Sequence, residues 1–518
     1  MPRGLRTTLG VVAFLLAWEL LGRWSPWGYD VISTPSRIAV QYWRDADLYA
    51  LHISATIRSA ALGFLIGNAF AIVGALLFCR FPSVEAMFRG VNIALFAMPP
   101  IVIGPVLVLV FSGDWPQIVL AALIVYFPTM AAMLVGLRDI DPRLVDVVHL
   151  YGGKEFALTR FVRLRSSLPS LLAGLRVAAS LAVLGAILGE FGSGVRWGLG
   201  TFLLGSLGEA NPARLWGIGL SAAALAMAGY GLFDWIGTRI GGATTAVTLA
   251  AARLPDQIAG TGRIQPAHRV ALLVVAFVLP FVLWKLLLVA TGLSPIIAPG
   301  PVQTVLYLFV GPDAASERQI MLQALGQTLP VACLGLVCGL AAAFALAALS
   351  VVRPGLVKAL LPGALVLQST PLIAMVPIIL LIFGRGVVAS TVMAVLVVFF
   401  PAFVLLAQGF ALVPRAAREL VDVYGGGPGK QLALISIPFA AQYLSAAAKL
   451  VAPRALLGVM VAEWLLSGVG LGNLLNVSRG TLDYGTIWAG ALISILISIA
   501  AYQSVGVVER MVRWTGAS

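Results

Sequence analysis

The octapeptides DVVHLYGG (146–153) and ELVDVYGG (419–426) stand 273 residues apart. Each opens on an acid, Asp146 or Glu419, and closes on Tyr-Gly-Gly: Tyr151-Gly152-Gly153 and Tyr424-Gly425-Gly426. Outward from this pair the chain repeats itself. Phe127-Pro128 matches Phe400-Pro401, and Glu190 matches Glu463, at the same offset. GLG at 198–200 matches GLG at 470–472, and Pro100 matches Pro371, with a drift of one or two residues. WELL at 18–21 matches WKLL at 284–287, and Pro35 matches Pro301, both at 266. Chance matches do not keep order and spacing in this way.

The repeated unit is apolar. Of 518 residues 60% are hydrophobic and 11% charged, and the mean hydropathy is +0.99. Soluble chains carry about 25% charged residues, so the composition places this chain in the membrane class. Runs of roughly 18 apolar residues span a bilayer. Six such runs lie near 8–25, 53–78, 92–112, 116–137, 168–190 and 215–238. Six more lie near 270–292, 325–350, 360–383, 387–412, 440–465 and 486–508. An even number of spans returns each half to its starting side, so the repeats are parallel. The expected fold is an all-α integral membrane protein of two parallel six-span repeats, about 12 transmembrane helices. Its domains are 1–238 and 270–518, joined by a linker at 239–269 rich in Gly, Ala and Thr. The N-terminal run imitates a secretory leader, but it recurs mid-chain and therefore reads as a structural span.

The net charge of +13 follows from the loops rather than from nucleic-acid binding. Basic residues gather after the second and fourth spans of each half (Arg80, Arg89, Arg138, Arg143, Lys154; Arg353, Lys358, Arg415, Arg418, Lys430) and in the linker. That side is expected to be cytoplasmic, together with the N-terminus and the linker. Three cysteines and three histidines are scattered, with no metal spacing and no disulfide framework. No catalytic constellation appears, and neither cofactor nor metal is expected on this chain.

VDVYGGGPGKQLAL (421–434) has the look of a phosphate loop. A G-x-x-x-x-G-K-[ST] motif fixed on Gly429-Lys430 requires Gly at 424 and Ser or Thr at 431; the chain has Tyr424 and Gln431. The preceding segment is charged and helical in pattern rather than a buried strand. The stretch instead predicts a short amphipathic helix with Pro414 at its first position. Ala417, Leu420, Val421 and Tyr424 fall on one face, and Gly425 follows the C-cap. The first copy predicts the same, with Asp141 as N-cap, Pro142 at N1, Leu144, Val148 and Tyr151 on one face, and Gly152 as the stop.

At these residues the chain resembles the ABC importer permeases, whose signature is EAA-x3-G-x9-I-x-LP. The second copy runs Glu419-Leu-Val, Gly425, Ile435, Ile437-Pro438; the first runs Asp146-Val-Val, Gly152, Val162, Leu164-Arg165. Both lack the paired alanines, and Arg165 replaces the Pro. The Trp-Glu-Leu-Leu opening, MPP (98–100), AGLRVAASLAVLGAILGEF (173–191) and GLG are similar to the alkanesulfonate, taurine and nitrate branch. That branch also includes thiamine-precursor carriers. The resemblance implies a type I importer permease in a bacterial inner membrane, with two permease domains fused in one chain. It implies two ATPase subunits, which hold ATP and magnesium, docked on the two loops, and an extracytoplasmic solute-binding protein. The cargo would be a small polar solute: a sulfonate, nitrate or bicarbonate anion, or a thiamine-precursor-like compound. The docking candidates are then Asp146, Tyr151, Gly152, Gly153, Glu419, Tyr424, Gly425, Gly426 and Pro438.

Candidate pathway or gate residues are Pro100, Ser369, Thr370, Pro371, Glu190 and Glu463. The prolines, with Pro105 and Pro377, either break a helix that lines the path or merely kink it. The glutamates are either an outer gate or hydrogen-bonded helix ends that brace the GLG re-entry. Glu19 and Lys285 read as interface residues, and so do Arg176 and Lys449. The alternative class is a self-sufficient secondary transporter or channel, which predicts mid-span carboxylates for ion coupling and no paired docking loops.

Overall fold

The computed structural model describes residues 3–24, 33–209, 211–240, 266–353, 355 and 372–515. All secondary structure among them is helical. Nine of these helices are long and apolar enough to cross a membrane, ten if one bent pair counts as a single span. The two remaining expected spans fall on Arg3–Trp24, which carries Arg6, Glu19 and Arg23, and on 360–383, of which only Leu372–Phe383 is described. Residues 241–265 of the expected linker lie outside the described residues, as do Ser369, Thr370 and Pro371.

Each half is organised around its fourth span. Trp115–Arg138 packs between Ala46–Arg80 and the helix ending at Ser193; Val387–Ala411 packs between Ala314–Val352 and Ile437–Ala462. A stripe of small buried residues makes the first contact close: Gly63, Gly67, Ala71 and Ala75, repeated as Gly335, Gly339, Ala343 and Ala347. Small side chains let helices approach until dispersion and backbone contact hold them, which matters where lipid offers no hydrophobic driving force. The first span of each half is clasped by an aromatic pair, Trp18 on Trp216 (centroids 5.2 Å apart) and Trp284 on Trp488 (5.3 Å, stacked). The largest buried core runs through both halves, from Ile101 and Leu188 to Met393 and Leu456.

The expected single span at 92–112 is two helices, Pro82–Ala97 and Pro100–Val110, bent by 105°. Proline has no N–H to donate and pushes the residue before it out of the helical region. Two consecutive prolines, Pro99 and Pro100, therefore end one helix and start the next, with Met98 and Pro99 extended (ψ 124° and 117°). The first helix of the second half, Pro266–Thr291, lies against Pro82–Ala97, and the last helix, Tyr484–Thr515, lies against both limbs of the bend. The halves are thus interleaved.

Each fifth span ends at a buried carboxylate. Glu190 Oε1 accepts from the Thr56 hydroxyl (2.7 Å), and Oε2 accepts from Gly200 N (2.7 Å). Thr56 Oγ1 in turn accepts from Leu199 N at 2.8 Å. The second half repeats this: Thr328 donates to Glu463 (2.7 Å to Oε1), Gly472 N donates to Oε2 (2.9 Å), and Leu471 N donates to Thr328 Oγ1 (2.8 Å). Between them the two side chains satisfy the exposed amides that start the next short helix, Leu199–Leu207 or Gly470–Thr481. The glycine entering each helix has a left-side backbone, φ 152° at Gly198 and 87° at Gly470, and a Cβ there would strike the glutamate carboxyl.

Replacing Thr56 or Thr328 by the isosteric Val leaves a buried amide and a carboxylate oxygen short of a partner. We expect each change to destabilise the purified protein by about 1–3 kcal/mol, read as a lower thermal unfolding midpoint. An unchanged midpoint in both variants would show that the brace carries no stability.

Candidate coupling loops and transport path

The loop helices are Pro142–Leu150 and Arg415–Val423, and neither buries a residue. Asp141 caps the first, its carboxylate accepting from Arg143 N at 2.9 Å. In the second, Pro414 is the N-cap itself (φ −56°, ψ 133°) rather than the first helical residue, because position 414 is the counterpart of Asp141, not of Pro142. Both helices stop identically. Gly153 N donates to Val148 O and Gly152 N to His149 O; Gly426 N donates to Val421 O and Gly425 N to Asp422 O. This is the paired six-to-one and five-to-two closure built on a left-handed residue. Gly152 and Gly425 supply that residue, with φ 72° and 74°.

The closure leaves the apolar ends in the open. Leu150 and Tyr151 are 84% and 89% exposed, Val423 and Tyr424 83% and 82%. Val148 and Val421 turn inward beneath the glycines, while Leu144 and Leu420 stay exposed. Asp146 and Glu419 lie on the outer face of their helices, also exposed. Lys430 is exposed in the short helix Pro428–Gln431, and Gln431 donates to Asp422 (2.5 Å), tying the glycine-rich stretch to the helix before it.

From each loop the chain continues without a break into the fifth span. Glu155–Ser193 is a 39-residue rod and Pro428–Ser467 a 40-residue rod. At 1.5 Å per residue each is roughly 60 Å long, about twice a hydrocarbon core. Both rods carry a π turn at the same place, Thr159–Arg163 and Leu432–Ser436. Pro438 sits in the turn directly after the second, within the continuous rod. The second rod has a further π turn at Glu463–Ser467, which puts the left-handed Gly468 five positions after Glu463 where the first half has Gly194 four after Glu190.

The remaining candidates fall into different places. Pro100 begins the second limb of the broken span, and Pro105 lies within it. Glu190 and Glu463 are the braces described above. Arg176 and Lys449 are ion-paired to the sixth span of their own half, Arg176 with Asp234 and Lys449 with Glu509 (2.7 Å). Glu19 accepts from Ser36 N and Oγ (3.1 and 2.7 Å), capping the short helix Pro35–Arg44.

Three features went unread in the sequence. Thr56 and Thr328, the partners of the braces, look like ordinary small polar residues in apolar spans. Arg138, just before the first loop helix, pairs with the buried Glu85, whereas its counterpart is Ala411. Arg479 crosses between the halves: its Nη1 donates to the carbonyls of Phe191 and Gly192 (3.3 and 3.2 Å), at the end of the first rod.

Comparison with known proteins agrees with the duplication. A probable ABC transporter permease protein of Haemophilus influenzae is 28% identical over 235 residues, covering 45% of this chain and 96% of that protein. A riboflavin transport system permease protein of Chloroflexus aurantiacus is 30% identical over 158 residues, 30% of this chain and 59% of the relative. A putative aliphatic sulfonates transport permease protein of Bacillus subtilis is 26% identical over 178 residues, 33% of this chain and 64% of the relative. One family, described as the binding-protein-dependent transport system inner membrane component, matches twice, at residues 63–242 and 335–514. With a permease domain in each half, the chain is a multi-pass membrane protein and belongs to this ABC transporter permease family.

Proposed function

We propose that the chain forms the whole translocation path of an ATP-driven importer and is driven through its two loops by separate ATPase subunits. The carrying observation is the pair of unpartnered apolar helix ends, Leu150-Tyr151 and Val423-Tyr424, at equivalent places in the repeat. Each sits on the end of a rod that reaches the far-side brace. Two exposed aromatic anchors on rigid helix ends suit a pair of docking clefts. ATP and magnesium would be held by the partners, and an extracytoplasmic binding protein would deliver the solute. The basic loops support a reading in which the docking side, the N-terminus and the linker lie in the cytoplasm of a bacterial cell bounded by its inner membrane.

The mechanism follows from rigidity. A change in spacing between two docked ATPase subunits moves the loop helices, and the continuous rods carry that motion across the membrane. At the far end Glu190 and Glu463 keep each rod locked to its re-entrant helix, so each half moves as a body. Beside the braces the halves are joined by Arg479 on the Phe191 and Gly192 carbonyls, a contact that would break as the far side opens. Coupling of this kind requires two states in which the partners make different contacts. A self-sufficient transporter would carry solute without any ATPase; ATP-independent uptake by the purified chain in liposomes would sink the importer reading.

Two outcomes test the proposal. Tyr151→Asp and Tyr424→Asp should each lower co-purification of the ATPase subunits about tenfold or more, and the thermal midpoint of the chain should stay put, since exposed changes usually fall within about 0.5 kcal/mol. Full recovery of ATPase with the double variant would remove the docking role. Arg479→Ala should raise the basal ATPase rate of the assembled complex roughly fivefold or more, the lower range of allosteric coupling. A rate equal to wild type would mean that Arg479 is not part of the gate.

A further inference from the structure

Arg454 is the basic residue left over deep in the rods once Arg176 and Lys449 are accounted for. It lies near the middle of the fifth apolar stretch of the second half, 440–465, next to Pro453. From Lys449 to Trp464 every residue is buried except Arg454 and Leu457, which are half-buried. This narrow accessible stripe is not a lipid face. Lipid-side positions are open, as at Leu65, Phe70 and Val73 with 63%, 67% and 55% exposure. The Arg454 helix is instead packed by protein on several sides: the fourth and sixth spans of its own half, Leu372–Phe383, and Pro100–Val110 of the other half.

The counterpart of Arg454 is Leu181, and it supplies an independent observation. Between Ala178 and Gly192 Leu181 is the one residue that is not buried. Two positions related by the repeat are each a rare opening in an otherwise buried stretch. At that position one half has a leucine and the other a guanidinium.

Among the described residues the guanidinium has no counter-charge. Arg176 pairs with Asp234 and Lys449 with Glu509. Among the described residues no hydrogen-bond or ion-pair partner is found for Arg454, and the nearest carboxylate on its helix, Glu463, is occupied by Thr328 and Gly472. A charge at mid-membrane depth is costly unless it faces water or an opposite charge. A planar fork of five donors is matched to oxyanions.

We infer that Arg454 is a binding residue for an anionic solute within the transport path, taking a sulfonate, carboxylate, nitrate or bicarbonate group. The inference rests on the permease reading for the word path, and deepens it by fixing the charge class of the solute. Because the two halves are one chain, the charge occurs once, so the path holds one anionic group and repels cations.

The test uses the full chain in nanodiscs of phosphatidylcholine, so that no anionic headgroup competes. Ethanesulfonate, nitrate and bicarbonate are titrated against chloride at equal ionic strength, and the thermal unfolding midpoint is followed. We expect at least one to stabilise the wild type saturably. Arg454→Leu, which copies the other half, should raise the half-saturating concentration about tenfold or more; Arg454→Lys should keep part of the response. No response in the wild type, or equal half-saturation in wild type and Arg454→Leu, would overturn the site. Co-purified ATPase is measured on the same samples. Anion binding that depends on Arg454 without ATPase recruitment supports the site and removes the importer reading. ATPase recruitment with Arg454-independent anion response does the reverse.

Discussion

The structure hangs on a buried carboxylate used twice. A helix that ends inside a membrane protein leaves amides and carbonyls that lipid cannot satisfy. Glu190 and Glu463 solve this at the far end of each fifth span by accepting from the amides of the helix that follows. Thr56 and Thr328, from the second span, complete the triangle, so in each half three segments are fixed by three short hydrogen bonds. The constraint is on geometry more than on identity. The first amide of the re-entry faces His52 Nδ1 (2.9 Å from Gly198 N) in one half and Gln327 Oε1 (2.8 Å from Gly470 N) in the other. Those two residues are not counterparts in the repeat: His52 aligns with Ala324 and Gln327 with Ala55. An acceptor is needed there, and each half supplies it from a different turn of the same helix.

With the far end fixed, the rest of each half is tied to one continuous helix. The rods run unbroken from brace to loop, and the small-residue stripes hold the second and fourth spans close beside them. The loop helices bury nothing, so their Schellman closures and caps do the work that packing does elsewhere. A helix this short is marginal alone, and Gly152 and Gly425 are what keep it defined while its apolar end stays outside.

Much of this was legible in the sequence, for physical reasons that differ by element. Spans and loops are read from hydropathy because lipid imposes it. The loop helices are read from Pro and Gly because those residues act locally, and the duplication exposed both. The family signature at Gly425, Ile435 and Pro438 is local too. What was not legible is long-range. Nothing at Thr56 announces that its hydroxyl meets Glu190, 134 residues away. The prolines at 99 and 100 announced a disturbance, but its size, 105°, is set by the packing of Tyr484–Thr515 and Pro266–Thr291 against the two limbs. The drift of the repeat offset near Glu463 has a structural cause visible only in coordinates. A π turn lengthens the helix by one residue, and the loop before GLG shortens by two. Arg454 could have been found by asking which charge interrupts an apolar run; the comparison of Arg176 with Lys449 drew the eye to the matched pair instead.

The unmatched residues matter most because the chain is a fusion. In a pair of identical subunits any residue on the axis appears twice, and two like charges facing each other across a narrow path repel. Here Arg454 has Leu181 as its counterpart, Arg479 has Leu207, and the Glu85–Arg138 pair has Ala411 in place of its arginine. Each is a charge placed once. The duplicated elements are the braces, rods and loops. The single-copy charges sit deep in one rod, at the far-side contact between halves, and at the root of one loop helix. Joining two domains in one chain is what allows both conditions to be met in the same molecule.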